Sequence, residues 1–346
     1  MKTHCDVLII GAGIAGLTAA RRLVDAGRDV IVVEKGRGVG GRMATRRFSG
    51  ATFDHGAQFI SVRSEEFGSI MEEWLADGVA ELWSHGFADG YTGDGSLLTA
   101  AADGAARPHM PARDGHPRYR GAPAMTAVAK HLAAGLDIRL GVRTEAVRQL
   151  DSGWAVEADA GRSYRSDAVV LTPPVPQTLA LLEAGGVRMA DPARETLGAI
   201  DYDPCIALLA LADEPVSLPE PGVLRRPNDT IEWIADNRAK GVSELGPAIT
   251  VHCAPGFSEA HYDEADGEVA ARIVESLPEA LRVPFSATQV KRWRYSRPRR
   301  PLDAGAWSEG LPDGLVLAGD AFAGARVEGA VLSGLAAART ITGRDA

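Results

Sequence analysis

A chain of 346 residues with 45% hydrophobic and 24% charged positions has enough apolar material for a sizeable core and for two structural domains. Its 46 acidic residues outnumber 37 basic ones, and the acids are scattered, so the net charge of −9 excludes the basic face that nucleic acid requires. Three widely spaced cysteines (Cys5, Cys205, Cys253) exclude a disulfide framework or a thiolate metal site. The apolar runs are too short for a membrane span, and the first strand starts within a few residues of Met1, so a cytoplasmic protein is expected.

The first predicted element is an apolar strand over residues 5–10, running into Gly11-Ala12-Gly13-Ile14-Ala15-Gly16. Gly11 permits the tight strand-to-helix turn, Gly13 lets backbone approach a pyrophosphate, and Gly16 brings the helix close to the strand. The helix from Ile14 to about residue 26 presents free N–H groups and a positive dipole end to phosphates. A second apolar strand, 29–33, ends on Glu34, placed to accept hydrogen bonds from ribose hydroxyls, with Lys35 beside it. This unit reads as a dinucleotide site. Gly40-Gly41-Arg42-Met43 then narrows the dinucleotide to a flavin. Adjacent glycines admit a cofactor close to the backbone, and Arg42 offers a rigid fork of donors to a pyrophosphate or a nearby carboxylate.

Asp54-His55-Gly56-Ala57-Gln58-Phe59 is placed to pass beside a planar ring, where backbone donors and the Gln58 amide address polar atoms of an isoalloxazine; His55 reads as a loop histidine. A helix is predicted over 67–76, followed by a Gly-, Asp- and Ala-rich loop that holds little core. Next come a helix over 124–132, a strand over 137–140, and an antiparallel meander turning at Asp151-Ser152-Gly153. A buried strand, 167–172, is stopped by Pro173 and Pro174. Alternating strands over 205–211 and 249–253 precede a helix over 267–277.

Residues 291–300 are the one basic concentration, interleaved with aromatics. They form either a solvated strand or a wall for a phosphorylated substrate, with Trp293 in that wall. A last buried strand, 314–318, leads to Gly319-Asp320, where Asp320 can accept from ribityl or ribose hydroxyls or brace a phosphate-binding water. The helix from about Glu328 to residue 341, with Val327 at its start, points a positive dipole end at the negative charge that forms at flavin N1 and C2=O on reduction. The expected architecture is α/β. A FAD-binding Rossmann-like domain comprises residues 1–61, 117–177 and 292–346, and an inserted α+β substrate domain comprises 62–116 and 178–291.

These residues resemble the flavin-containing amine oxidase superfamily, and within it the renalases and their bacterial relatives. The resemblance is carried over nearly the full chain by Gly11 to Gly16, Gly40-Gly41-Arg42-Met43, Gly56-Ala57-Gln58, Val147 with the Gly153-Trp154 turn, and Leu171-Thr172-Pro173-Pro174-Val175-Pro176-Gln177. Asp236-Asn237, Val251-His252, Arg292-Trp293-Arg294 and Gly319-Asp320 complete it. It implies a nucleotide-binding fold of the glutathione-reductase-2 type and a noncovalent FAD. The implied FAD contacts are Gly11, Gly13, Ile14, Ala15, Gly16, Glu34, Lys35, Gly41, Arg42, Met43, Ala57, Gln58, Phe59, Thr172, Asp320, Val327 and Glu328, with the backbone of Val147 at the adenine. Asn237, His252 and Trp293 are candidate substrate contacts. Each has a structural alternative: a turn amide, a satisfied core histidine, a core aromatic.

The sequence departs from the amine oxidases near its C-terminus. Phe322 and Ala323-Gly324-Ala325 stand where many members carry a substrate-facing tyrosine, and no cysteine follows Cys253 to form a flavin thioether. The resemblance implies oxidation of dihydronicotinamide dinucleotides that carry their hydride at C2 or C6. Hydride passes to flavin N5 and its electrons to dioxygen, giving NAD(P)+ and hydrogen peroxide. A neutral dihydropyridine that loses hydride becomes a pyridinium cation, so no side chain need remove a proton and no catalytic residue is assigned. Two alternatives stay open. One is an amine oxidase or a carotenoid-type desaturase on the same fold. The other is a binding protein without redox activity, like the Rab GDP-dissociation inhibitors, against which Arg42 and Asp320 argue. Expected partners are a small-molecule substrate and dioxygen, with no nucleic acid and no membrane, for a monomer or small homo-oligomer.

Overall fold

Apolar runs that do not alternate have no solvent face, so they belong inside a parallel sheet covered on both sides. The computed structural model describes residues 3–87 and 115–343 and places these runs there. The chain opens with β1 (His4–Ile10), α1 (Ile14–Asp25) and β2 (Val30–Glu34), then the hairpin β3 (Thr45–Phe48) and β4 (Ala51–Asp54). Next come α2 (Glu65–Ala76), β5 (Ala80–Ser84), β6 (Arg118–Gly121), α3 (Thr126–Ala133) and β7 (Asp137–Leu140). The meander is β8 (Thr144–Gln149), β9 (Trp154–Ala158) and β10 (Arg162–Leu171), followed by α4 (Val175–Ala184) and α5 (Asp191–Gly198). The next stretch is β11 (Tyr202–Ala212), β12 (Val223–Arg225), β13 (Ile231–Asp236), β14 (Ala248–Cys253), α6 (Pro255–Ala260), α7 (Asp266–Glu275) and β15 (Phe285–Pro298). The chain closes with β16 (Leu315–Leu317), α8 (Asp320–Ala323) and α9 (Val327–Thr342).

The first sheet has the order β7-β2-β1-β10-β9-β8, with β16 beside β10. β7, β2, β1, β10 and β16 run parallel, and β8 and β9 return antiparallel. β10 serves both halves: Arg162 to Ser166 pair with β9, and Val169 to Leu171 pair with β16. Leu17, Leu23 and Ala337 of α1 and α9 cover one face over Val7, Ile9 and Val32. Leu182 and Leu197 of α4 and α5 join Trp154 over Leu8 and Val169 on the other. Glycines let α1 pack on the turn before it and α9 on α1. A Cβ on Gly16 would overlap the Gly11 carbonyl oxygen, and one on Gly334 would overlap that of Ala15.

The second sheet is antiparallel, β12-β13-β14-β11-β15. Its alternation sorts side chains into two sets. Ile249 and Val251 join Ile206 and Leu208 in a core with Val269 and Ile273 of α7. The intervening residues face the β3–β4 hairpin: Ala248 and Leu209 pack on Ala51 and Phe53, and the Thr250 hydroxyl donates to the Asp54 carbonyl. This joint holds a sealed ion pair, Lys240 Nζ to Asp54 Oδ2 at 2.8 Å, both side chains 0% exposed. Lys240 also sits 4.9 Å above the Trp83 ring. Burial pushes its pKa down and Asp54 opposes the shift.

The boundaries expected at 177/178 and 291/292 fall inside α4 and β15. α4 packs Leu182 into the first sheet's core, so the chain turns to the second sheet only at Tyr202; β15 pairs with β11 along its length and returns the chain after Pro298. α2, expected in the substrate domain, packs Phe67 and Ile70 against Ile14 and Leu335 of α1 and α9. Residues 88–114 of the Gly-, Asp- and Ala-rich loop lie outside the described residues. Among the described residues, no helix is long and apolar enough to cross a membrane.

Candidate active site

The C-terminal ends of β1, β2 and β10, the segments on either side of the β3–β4 hairpin and the second sheet line a cavity of about 1220 Å³. That exceeds the usual span of small-molecule pockets, roughly 300–1,000 Å³. At one end lies the glycine-rich turn. Gly11 has φ 104°, a conformation that excludes side chains, while a Cβ on Gly13 would meet no described atom within 4 Å. The turn therefore leaves open space where Gly13 lets a phosphate approach. Glu34 is anchored there: Oε2 accepts from Ala12 N at 2.9 Å and Oε1 from Gly36 N at 2.6 Å, leaving lone pairs for a ligand. Lys35 and Gln177 border this end.

In the middle, Gly40 N donates to Ala12 O at 2.8 Å, and the turn Gly41–Met43 carries Arg42 across to α8. Arg42 Nη1 donates to Asp320 Oδ2 at 2.6 Å and Nη2 to Oδ1 at 2.7 Å, a bidentate pair, and Nη1 also reaches Ser296 O at 3.0 Å. Burial lowers the Arg42 pKa, but Asp320 outweighs it and the net shift is upward. Of the two partners expected for the Arg42 fork, the structure shows the carboxylate. Asp320 is accordingly the brace for Arg42.

At the far end, Asp54 fixes the segment that follows it. Its Oδ1 accepts from Thr45 Oγ1 at 2.7 Å and Met125 N at 3.1 Å, while its carbonyl accepts from Gln58 Nε2 at 2.7 Å. Gln58 Nε2 also donates to Gly56 O at 3.1 Å, so the amide spends its donors on backbone and leaves Oε1 buried and unpartnered in a residue of the cavity wall. A buried acceptor without a donor costs about 1–3 kcal/mol, and a ligand N–H removes that cost. His252 Nε2 and Trp293 Nε1 both meet the His55 carbonyl, at 3.3 and 2.9 Å. A carbonyl only accepts, so His252 carries its proton on Nε2. The His55 ring stacks on Trp293 at 5.1 Å and 15°. Burial pushes both histidines down to about 4, aided at His55 by Lys291 and opposed at His252 by its bond to the His55 carbonyl. Both are neutral at pH 7.

Gly11, Gly13, Ile14, Ala15, Glu34, Lys35, Gly41, Arg42, Met43, Ala57, Gln58, Phe59, Thr172, Asp320 and Val327 all line the cavity, as do His252 and Trp293. Four expected contacts do not. Gly16 lies beneath the turn as a packing residue. Val147 lies in the β8–β9 ladder with its carbonyl against Gly185, and the wall there is Val142, Arg143 and Thr144. Glu328 Oε1 accepts from Arg63 N, Ser64 N and Ser64 Oγ at 3.2, 2.7 and 2.7 Å, which ties α9 to the start of α2. Asn237, 0% exposed, accepts from Asp54 N and donates to Ala248 O and Thr250 Oγ1, so it is a structural amide. Phe322 is buried in the core of the first sheet.

Several wall residues carry no local signal. Trp233, stacked on Phe59 at 5.6 Å and 28°, sits in a strand without a motif, and Arg63 and Arg118 belong to no motif. Cys205 and Cys253 also line the cavity, but burial pushes the Cys205 thiol up to about 12 and Cys253 upward too, so neither is a thiolate nucleophile.

The open glycine turn, the anchored Glu34 and the orphaned Gln58 acceptor fit a dinucleotide with a ring that donates from an imide N–H, as FAD does. The comparisons agree. The chain belongs to the family described as flavin containing amine oxidoreductase, whose model matches residues 80–342; a model for an NAD(P)-binding Rossmann-like domain matches residues 9–74. It is a flavoprotein oxidoreductase with FAD as its cofactor. Renalase of Mus musculus is 25% identical over 355 residues, covering 97% of this chain and 98% of its own. Putrescine oxidase of Kocuria rosea is 46% identical over 68 residues, 20% of this chain and 14% of its own. The solved structure of wild-type putrescine oxidase bound to putrescine has the same fold, with a TM-score of 0.73 at 16% identity over 99% of this chain and 100% of that one.

Proposed function

We propose that the protein is a renalase-like oxidase that takes hydride from dihydronicotinamide dinucleotides reduced at C2 or C6 and returns NAD(P)+ and hydrogen peroxide. The observation that carries this reading is the chemistry of the cavity's far end: aromatic and arginine side chains line it together with His252, a neutral and weakly basic imidazole. Such a chamber orients a planar ring and tolerates phosphates. FAD, when bound, supplies the hydride acceptor and passes the electrons to dioxygen.

The chain's own residues do the rest. Phe59 and Trp233 offer a stacked wall for a ring, and His252, the cross-strand partner of Trp233, extends that wall with Trp293, both held by one carbonyl. The N-terminus of α9, with Val327 in the wall, favours negative charge on the reduced cofactor. The substrate's dihydropyridine ring is neutral before hydride loss and a pyridinium after it, so weak bases suffice. A cationic amine, by contrast, would enter a chamber lined with arginines. The renalase similarity over nearly the whole chain supports the same reading. The un-ionised thiols support a noncovalent cofactor.

Anaerobic mixing of the FAD-loaded protein with 1,2- or 1,6-dihydronicotinamide dinucleotide is expected to bleach the flavin, and a panel of amines to leave it yellow. A flavin that stays oxidised with both isomers overturns the reading.

A further inference from the structure

Four arginines of the cavity wall face a carboxylate: Arg42 meets Asp320, Arg292 meets Asp266, Arg294 meets Asp263, and Arg297 meets Asp203 and Glu232. Arg63 and Arg326 do not: among the described residues no carboxylate pairs with either guanidinium, and both line the cavity. Glu328, two residues past Arg326, is already committed to Arg63 N, Ser64 N and the Ser64 hydroxyl. That contact carries Arg63 to the first turn of α9, which Arg326 caps. A third cation, Arg118, is buried in the same wall with its guanidinium 5.7 Å from the Phe59 ring centroid, and Phe59 stacks on Trp233. The Trp233 indole N–H is itself buried and without a partner.

Burial, then Arg63 and Arg118 lower the Arg326 pKa, with Glu328 opposing, so the three cations are near enough to repel. Arginine stays charged regardless. Arg63 and Arg326, both exposed and brought together at the start of α9, present positive charge that a bound polyanion can meet. The cofactor's own pyrophosphate is provided for elsewhere, at the glycine turn and the N-terminus of α1. A second pyrophosphate in the same cavity needs a second set of donors.

We propose that Arg63, Arg118 and Arg326 form a phosphate subsite that holds the pyrophosphate of the dinucleotide substrate. This rests on the oxidase reading above, and it assigns the substrate's phosphates to side chains in the gap between α9 and the Phe59–Trp233 wall. The Arg63 and Arg326 guanidiniums supply charge at the rim, and Arg118 supplies it from the wall.

The test uses FAD-loaded protein and three non-reacting probes, NAD+, nicotinamide mononucleotide and nicotinamide riboside, with binding followed by perturbation of the flavin absorbance. R63Q and R326Q are each expected to raise the Kd for NAD+ about tenfold and that for the mononucleotide less, while leaving the riboside within about twofold. The salt dependence of NAD+ binding becomes shallower in both variants, and R326K restores part of the loss. Equal weakening of all three probes, no weakening of any, or loss of FAD from the variants overturns the subsite. Wild-type protein mixed anaerobically with the dihydro isomers separates the two ideas. Bleaching with charge-blind variants rejects the subsite alone, whereas absence of bleaching rejects the oxidase reading.

Discussion

At the scale of single residues, charge placement decides what each group can do. Arg42 and Asp320 neutralise one another across the middle of the cavity, so D320N leaves a largely enclosed guanidinium without its counter-charge. The side chains are 30% and 11% exposed, so the expected loss is on the order of 2 kcal/mol rather than the roughly 3–5 of a sealed pair, read as a shift in urea midpoint. FAD retention falls with it. The histidines give a pH signature of definite sign. The folded-state pKa of about 4 at His55 lies below its ordinary value of 6.5, so between those pH values the unfolded chain binds a proton that the folded chain refuses. Stability is full above about pH 6.5, declines on acidification towards pH 4 by roughly 3 kcal/mol for His55, and levels off below that. Thermal midpoints of H55Q across this range are expected to fall less steeply than those of the wild type. Arg42 and Gln58 were legible in the sequence because local motif order places them. Asn237 and Glu328 were not, because their partners lie 183 and 264 residues away. A conspicuous polar residue then reads as a ligand contact when it is a structural tie.

Among elements, the turn between β1 and α1 separates a packing glycine from a binding glycine. Gly16 touches the Gly11 carbonyl, whereas Gly13 faces open space with ordinary backbone angles. G16A is therefore expected to lower the melting temperature of the apoprotein by several degrees. G13A leaves the apoprotein's melting temperature within a degree or two, yet weakens FAD binding about tenfold by filling the phosphate approach. Apoprotein melting and FAD titration on the two variants check both halves. Strands and helices ending in Gly or Pro were readable, since the chain stops them chemically; α2, α3, α7 and α9 lie where periodicity puts them. β15 was harder. Its basic, aromatic residues read as a boundary, but each finds its place by pairing with β11, far back in the sequence.

Over the whole molecule, two sheets with different logic meet at the β3–β4 hairpin. Composition and motif order foretold an α/β nucleotide unit and a second, alternating sheet, but neither said where the two would touch. That joint is built from Asp54, Asn237, Lys240 and Thr250, none of which the sequence marks as a joint. K240M removes a buried cation and strands the Asp54 carboxylate, so it is expected to cost about 3–5 kcal/mol and to loosen the Gln58 segment with it, measured by urea unfolding and by hydrogen exchange at Ala57 and Gln58. The same sealed pair has a historical consequence. Neither partner can lose its charge alone, since every single neutralising replacement strands the other charge, so positions 54 and 240 form one heritable character. Relatives of this chain should keep both charges or have exchanged both for uncharged residues, and an alignment in which the two positions vary independently would show that the hinge between the sheets has been rebuilt on other residues.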